Sequence, residues 1–470
     1  MPVLHRGLTI SAARLRKTSH ENSRWNRRHF WGMTAGVGVG TWLLPLLIAD
    51  DSPAARSGRP RVTTPRATSG DRASEPNWDE RLTITVGQKE GDLIGTSHKV
   101  LQAAVDYVAR LGGGTVKVLS GTYTLRGSIH LRTGVRLLGS GDDSILTKPA
   151  SVSTKLALDS DWYDQEITLV DAKGFEVGDS VCLRTKNSHD GGPEVLKRTL
   201  VARSGNRFKL DLALRQNFWT MGEPTCSTLF PLVTSEETEN LVIEQIAFDG
   251  NGKNNENLDG NHGGCIFLQD VSNVLIRKVT ARHNNGDGIS WQICHDVTVE
   301  DCHSHDHAGL GLHPGSGSQR PVMRRNKLER CQIGLFFCWG VKYGLAEENT
   351  ILDIKGQGIS IGHRDTDNLV RKNVVRNSGQ TGILFRPERG ASFCGHRNVI
   401  EQNVVENSGP ADGVAIDVQG GTEQVTLRQN EIKETRDPAQ RIGIRLGKET
   451  KEITLVENSF VGLMRDVVQA

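Results

Sequence analysis

None of the eight cysteines forms a Cys-x-x-C pair, so neither a zinc ribbon nor a disulfide-dense scaffold is indicated. Gly112-Gly113-Gly114 is followed by no Gly-Lys-Ser/Thr and leads into a strand pattern, which removes a phosphate loop. Asp249-Gly250-Asn251 and Asp259-Gly260-Asn261 fit no EF-hand spacing; turn formation is their expected role, and Ca²⁺ is the one cofactor the pattern admits. The basic excess stops early: residues 1–72 carry 12 Lys/Arg against 4 Asp/Glu. With a whole-chain charge of +2, that leaves residues 73–470 near −6, which excludes a general nucleic-acid binder. The apolar run Gly32–Ala49 is short and contains Pro45, so no stable membrane span is expected after processing.

What is present is a returning phrase, Gly followed by two apolar residues that straddle one variable position. It reads Gly288-Ile289-Ser290-Trp291, Gly309-Leu310-Gly311-Leu312, Gly334-Leu335-Phe336-Phe337 and Gly358-Ile359-Ser360-Ile361, then recurs at Gly382, Gly413 and Gly443. Successive glycines are 21, 25, 24, 24, 31 and 30 residues apart. A period in the twenties marks a stacked solenoid, and apolar-x-apolar is the alternation of a strand with one buried face. No Leu-x-Leu consensus with helical segments is found, which sets aside a leucine-rich repeat. The pattern predicts an all-β, right-handed, single-stranded parallel β-helix, one coil per repeat. Asn326, Asn349, Asn373, Asn403, Asn430 and Asn458 recur in step, and amides stacked about 4.8 Å apart can hydrogen-bond up the column.

Along the chain, Arg27-Arg28 followed by Phe30-Trp31 and the Gly-rich apolar run resembles a twin-arginine export signal over 1–49, which implies a periplasmic or secreted protein. Residues 50–80 are rich in Pro, Ser, Thr, Arg and Ala and read as a flexible tether. Residues 81–149 hold an N-terminal cap and the first coils. In Ser97–Leu111, Val100, Ala104, Val108 and Leu111 share one face of a helix, with Thr96 or Ser97 as its cap and Gly112 at its end. Residues 150–234 break the rhythm and predict a small antiparallel β insertion, a wall beside the groove. Residues 235–470 form the main β-helix.

The helix, then Gly-Gly-Gly-Thr-Val at 112–116, then Gly121-Thr122-Tyr123, then coils with an asparagine column, resembles the pectate-lyase-like right-handed β-helix superfamily over 90–150 and 235–465. That resemblance implies the fold; the superfamily spans lyases, glycosidases, epimerases and non-catalytic adhesins.

Counting four residues on from each glycine gives an outward column that includes Gln292, His313, Cys338, Arg386 and Asp417, with His363, Arg364, Asp365 and Glu388 beside it. Such a column suits an extended polysaccharide, bound by a protein expected to be a monomer. For β-elimination at a uronic acid, His313 is the candidate base, while Arg364 and Arg386 neutralise the carboxylate. For hydrolysis, Asp365, Glu388 and Asp417 supply carboxyl pairs on consecutive coils. His363 completes the catalytic candidates. C5-epimerisation shares the proton-abstraction step, and a non-catalytic carbohydrate-binding solenoid is the alternative of another class. Gln292, Trp291 and Trp339, with His305, His307 and Arg320 of the special coil, are the substrate-binding candidates. His303, His305 and His307 would point one way in an extended segment, but no distant acidic or cysteine partner is identifiable, so no metal site is assigned.

Overall fold

The computed structural model describes residues 75–187 and 189–470. The arginine pair, the apolar run and residues 50–74 of the tether lie outside the described residues, whereas Trp78–Glu80 forms a 3-10 turn and Glu75 pairs with Arg277. Among the described residues no helix is long and apolar enough to cross a membrane.

After a strand at Thr83–Gly87, helix α1 spans His98–Arg110 and buries Leu101, Ala104, Val105 and Val108. Covering the first coil with this apolar face closes strand edges that would otherwise be open. Ser97 occupies the N-cap position but forms no side-chain cap bond. At the other end Gly112 takes φ +85, and the Gly112 and Gly113 amides donate to Ala109 O and Val108 O. That pair of bonds is the Schellman closure, which needs the left-handed conformation glycine adopts cheaply.

The chain then winds as a parallel β-helix with three faces. One face is an 11-stranded ladder running from Ile129–His130 through Val233–Glu236, Ile266–Gln269, Ile289–Gln292 and Leu310–Gly315 to Arg465–Gln469. The second ladder includes Ser272–Arg277, His295–Glu300 and Val322–Arg324; the third includes Thr280–Arg282, His303–His305 and Lys327–Glu329. Inward residues of all three faces merge into one continuous core, from Val86 to Leu446. The antiparallel insertion is a separate six-stranded sheet between Ser153 and Ser227, with its own core around Phe175, Phe208 and Phe218.

The asparagine column forms as its spacing predicts. From Asn326 to Asn458 each Nδ2 donates to the next Oδ1 at 2.9–3.0 Å, and its second hydrogen reaches a backbone carbonyl. A shorter ladder joins Asn368 to Asn398. Corners also repeat. Asp296, Arg320, Tyr343, Asp367 and Arg397 all take positive φ at one corner. Each such residue costs about 1–2 kcal/mol of backbone strain. Bidentate pairs between coils, Arg320 to Asp296 and Arg397 to Asp367, help to offset it.

Candidate functional site on the 11-stranded face

Register decides which outward side chains meet. Ser290 pairs with His313, Phe336 with Ser360, Ser360 with Leu384, Leu384 with Asp417, and Asp417 with Arg445. His313 and Asp417 therefore share a column, whereas Gln292 pairs with Gly315 one step further along the strand. The expected single line through Gln292, His313, Arg386 and Asp417 is corrected here. Leu312 pairs with Ile289 and Ile416 with Ile383, so the in-phase pairs are Gly311-Leu312 and Ala415-Ile416, not those beginning at Gly309 and Gly413. A two-residue slip keeps inside and outside unchanged, so alternation alone cannot detect it.

The first cluster on this face is a buried dyad. His313 Nδ1 lies 2.8 Å from Asp287 Oδ2, and Asp287 Oδ1 accepts the Leu310 amide at 2.9 Å. Both side chains are almost fully buried, and His313 Nε2 has no hydrogen-bond partner. An imidazole that gives its Nδ1 proton to a carboxylate presents Nε2 as a lone pair. Ser290 and Gln292 sit beside the dyad, and both donate to the Gly260 carbonyl. The turn after Asp259 is pressed over the pair: a Cβ at Gly260 would lie 1.6 Å from Asp287 Oδ2. Only glycine fits there.

The second cluster gathers around Arg386. Its guanidinium donates to Ser360 Oγ at 2.9 Å, Phe337 O at 3.0 Å, Asp365 Oδ2 at 3.2 Å and Glu388 Oε1 at 3.2 Å. Asp365 is wholly buried and also accepts the Gly340, Val341 and Gly362 amides, each at 3.0 Å. Burial pushes its carboxyl up to about 7, against the pull of Arg386 and those amides. Asp365 is thus an organiser of the turn, out of reach of a bound chain. Burial also works against the Glu388 carboxylate, but the His363 amide and Arg386 hold it below the usual range. Asp417 is held by Arg445, at 3.0 Å and 2.5 Å, and by Gln419. Phe336 joins the clusters: its ring stands 5.4 Å from His313 edge-on and 4.4 Å beneath Arg386.

Beyond Arg386 the surface becomes aromatic and basic. Trp339 is 54 % exposed and stacks on His363 at 4.1 Å with an interplanar angle of 11°. His363 in turn contacts Phe393, over which the exposed Arg364 guanidinium lies at 4.0 Å. At the other end, Lys197 of the insertion sits 3.7 Å over the ring of Phe267, an outward residue of the same column. Burial pushes its ammonium down to about 8. The insertion thus stands against the early coils of this face.

Four substrate-binding expectations are corrected by position. Trp291 points inward, pairs with Leu268 and Pro314, and is fully buried; its place in the Gly-apolar-x-apolar phrase makes it a core residue. His307 is fully buried because Asp306, at φ +58, ends the strand alternation and turns the ring into the interior. His305 belongs to the third ladder, not to the 11-stranded face. Arg320 sits at a corner, tied to Asp296. Gln292 is on the right face but covered by the Gly260 turn. Sequence reasoning missed Asp287, Ser290, Phe336, Ser360, Phe393 and Lys197. Asp287, in Asn284-Asn285-Gly286-Asp287, reads as turn chemistry, and nothing local marks its histidine partner. Asp249 and Asp259 each accept the amide two residues on, closing tight turns. A cavity of about 520 Å³ lies at the capped end, lined by Pro76, Asn77, Arg81 and Gly113, away from this chemistry.

A family described as "Right handed beta helix region" matches residues 244–432. No curated protein matches the sequence. Among solved structures, the mannuronan C-5 epimerase A-module of Azotobacter vinelandii is similar at 14% identity, covering 79% of this chain and 93% of that chain, with a TM-score of 0.47. An exopolygalacturonase of Thermotoga maritima covers 77% and 88% at 14% identity and TM-score 0.43. A surface protein and adhesin of Streptococcus pneumoniae covers 79% and 95% at 13% identity and TM-score 0.43. At such identities the likeness concerns the fold alone.

Proposed function

We infer that this right-handed parallel β-helix protein is a polysaccharide-active enzyme that abstracts a proton from a uronic-acid residue laid along its 11-stranded face. The observation that carries the reading is the Asp287–His313 dyad, whose buried Nε2 has no partner and whose ring stands against Phe336, the residue beneath Arg386. A general base needs an oriented lone pair, and Asp287 supplies the orientation. In β-elimination, His313 takes the proton adjacent to the sugar carboxylate; the electron pair forms the ring double bond, and the glycosidic oxygen leaves and is protonated by water. Arg364 and the unused Nη1 hydrogen of Arg386 neutralise the carboxylate, and Trp339 supplies a face for a sugar ring to stack on. Nε2 is buried, so the chain around it must open before it reaches substrate. Hydrolysis is less well served, because Asp365, Glu388 and Asp417 are each held in ion pairs. Delivery of a solvent-derived proton to the opposite face of the same carbanion would give epimerisation after the same abstraction by His313.

The test is a panel of neutral, uronic and sulfated polysaccharides incubated with the protein in heavy water. Ultraviolet absorbance of an unsaturated ring marks elimination; deuterium at C5 without chain cleavage marks epimerisation. His313→Ala should abolish either signal while binding persists, whereas Trp339→Ala should weaken binding. New reducing ends without that absorbance would refute the reading in favour of hydrolysis. Binding without any turnover would refute it in favour of a carbohydrate-binding solenoid.

A further inference from the structure

Away from this face, on the third ladder, a group of imidazoles is left unexplained by the dyad and its surroundings. In strand His303–His305 the two histidines point outward and Ser304 points into the core. His283 stands one coil earlier, at the corner that Asp306 occupies in the next coil; their φ values are +53 and +58. The rings of His283 and His305 lie 5.9 Å apart and nearly perpendicular, and those of His303 and His305 are 4.2 Å apart.

Each imidazole has one ring nitrogen on a carboxylate. His283 Nδ1 is 3.1 Å from Asp249 Oδ2, His305 Nδ1 is 2.5 Å from Asp306 Oδ2, and His303 Nε2 is 2.7 Å from Glu329 Oε2. A carboxylate on one nitrogen fixes the ring and its tautomer and makes the other nitrogen a better donor, the support that metal-ligating histidines usually have. One ligand atom each from His283, His305 and Asp306 lies within 4.8 Å of the others. Bonds of about 2.0–2.2 Å to a shared ion then need modest ring rotations. His283 is half exposed, which leaves a way in from solvent.

We propose that His283 and His305, with Asp306 beside them, bind one divalent transition-metal ion of the zinc class. Imidazole donors select such ions over Ca²⁺ and Mg²⁺, which want several oxygens. The donor set agrees, because Asp306 is the one carboxylate of the three-residue group and Arg330 offsets its charge, so the several oxygens a hard cation wants are not supplied. Because His283 and His305 belong to successive coils, the ion ties one coil to the next. It acts on the fold, not on the sugar-facing surface.

The test is calorimetric titration of the full chain, stripped with chelator, with zinc chloride, alongside thermal unfolding with and without the ion. The parent should take up one equivalent lost in His283→Ala/His305→Ala, with each single variant weakened about tenfold or more. Zinc should raise the parent's unfolding midpoint and leave that of the double variant unchanged. His303→Ala should still bind, since its ring lies outside the three-residue group, and circular dichroism should show each variant folded. Equal uptake by parent and double variant, or no uptake by the parent, would overturn the proposal. A melting shift that survives in the double variant would do the same.

Discussion

His307 offers a quantitative test of how the coil interior treats a titratable group. Its ring is fully buried; Nδ1 accepts the Asn284 amide at 3.2 Å, while Nε2 lies 3.1 Å from both Ala281 O and Ser304 Oγ. With Nδ1 committed as an acceptor, a second proton would be driven against an N–H already pointing at it. Burial, with the nearby His305 adding to it, therefore pushes the imidazole down from 6.5 to about 3. A base held below its unfolded value stabilises the fold above pH 6.5, and that contribution is lost as pH falls toward about 3. At pH 4 the unfolded ring is charged and the folded one neutral. A difference of some 2.5 pH units at about 1.4 kcal/mol each amounts to about 3 kcal/mol. His307→Gln removes the titration while keeping a donor and an acceptor. Urea unfolding at pH 7, 6, 5 and 4 should show the parent's advantage over the variant shrinking by about 3 kcal/mol across the series. Parallel curves would refute the argument, as would a His307 imidazole signal that titrates near 6.5 in the folded protein.

The asparagine ladder should fail unevenly. Asn373→Ala orphans the Asn349 amide, one hydrogen of the Asn349 side chain and the Ala346 carbonyl, costing about 3–5 kcal/mol. Asn458→Ala, half-buried in the last coil where water can replace it, should cost about 1 kcal/mol or less. Equal losses in urea melts would mean the column is ornament. Asp365 should give a pH effect of the opposite kind to His307. Its folded value near 7 lies above the unfolded 3.8, so its contribution is full below pH 3.8 and lost as pH rises to about 7. The penalty for Asp365→Asn should accordingly shrink by about 1.4 kcal/mol per pH unit in that window, and a growing penalty would contradict it.

The third ladder shows where reading along a chain stops. His303, His305 and His307 alternate in sequence, and alternation predicts one shared direction. The left-handed residue Asp306 breaks the strand, sends His307 inside and leaves His305 on a different face from His313. Arg320 fails as a ligand candidate for a similar reason: a residue at a coil corner finds its partner in the coil below, here Asp296, 24 positions away.

By itself the sequence determined the repeat, the strand alternation, the asparagine column, the capping helix and the antiparallel insertion. Each of these is written in local spacing: a period of two sets which side is buried, a period in the twenties sets the coil, and a shared face sets the helix. Only the tertiary structure decided which outward residues are neighbours. Coils of unequal length slide past one another in steps of two without exposing the core, so the match of His313 to Ser290, and of Ser360 to Phe336, rests on backbone pairing between coils. The partnership of Asp287 with His313 was likewise beyond local reading. It joins a turn to a strand one coil later, 26 residues on, and is closed over by a third segment at Gly260.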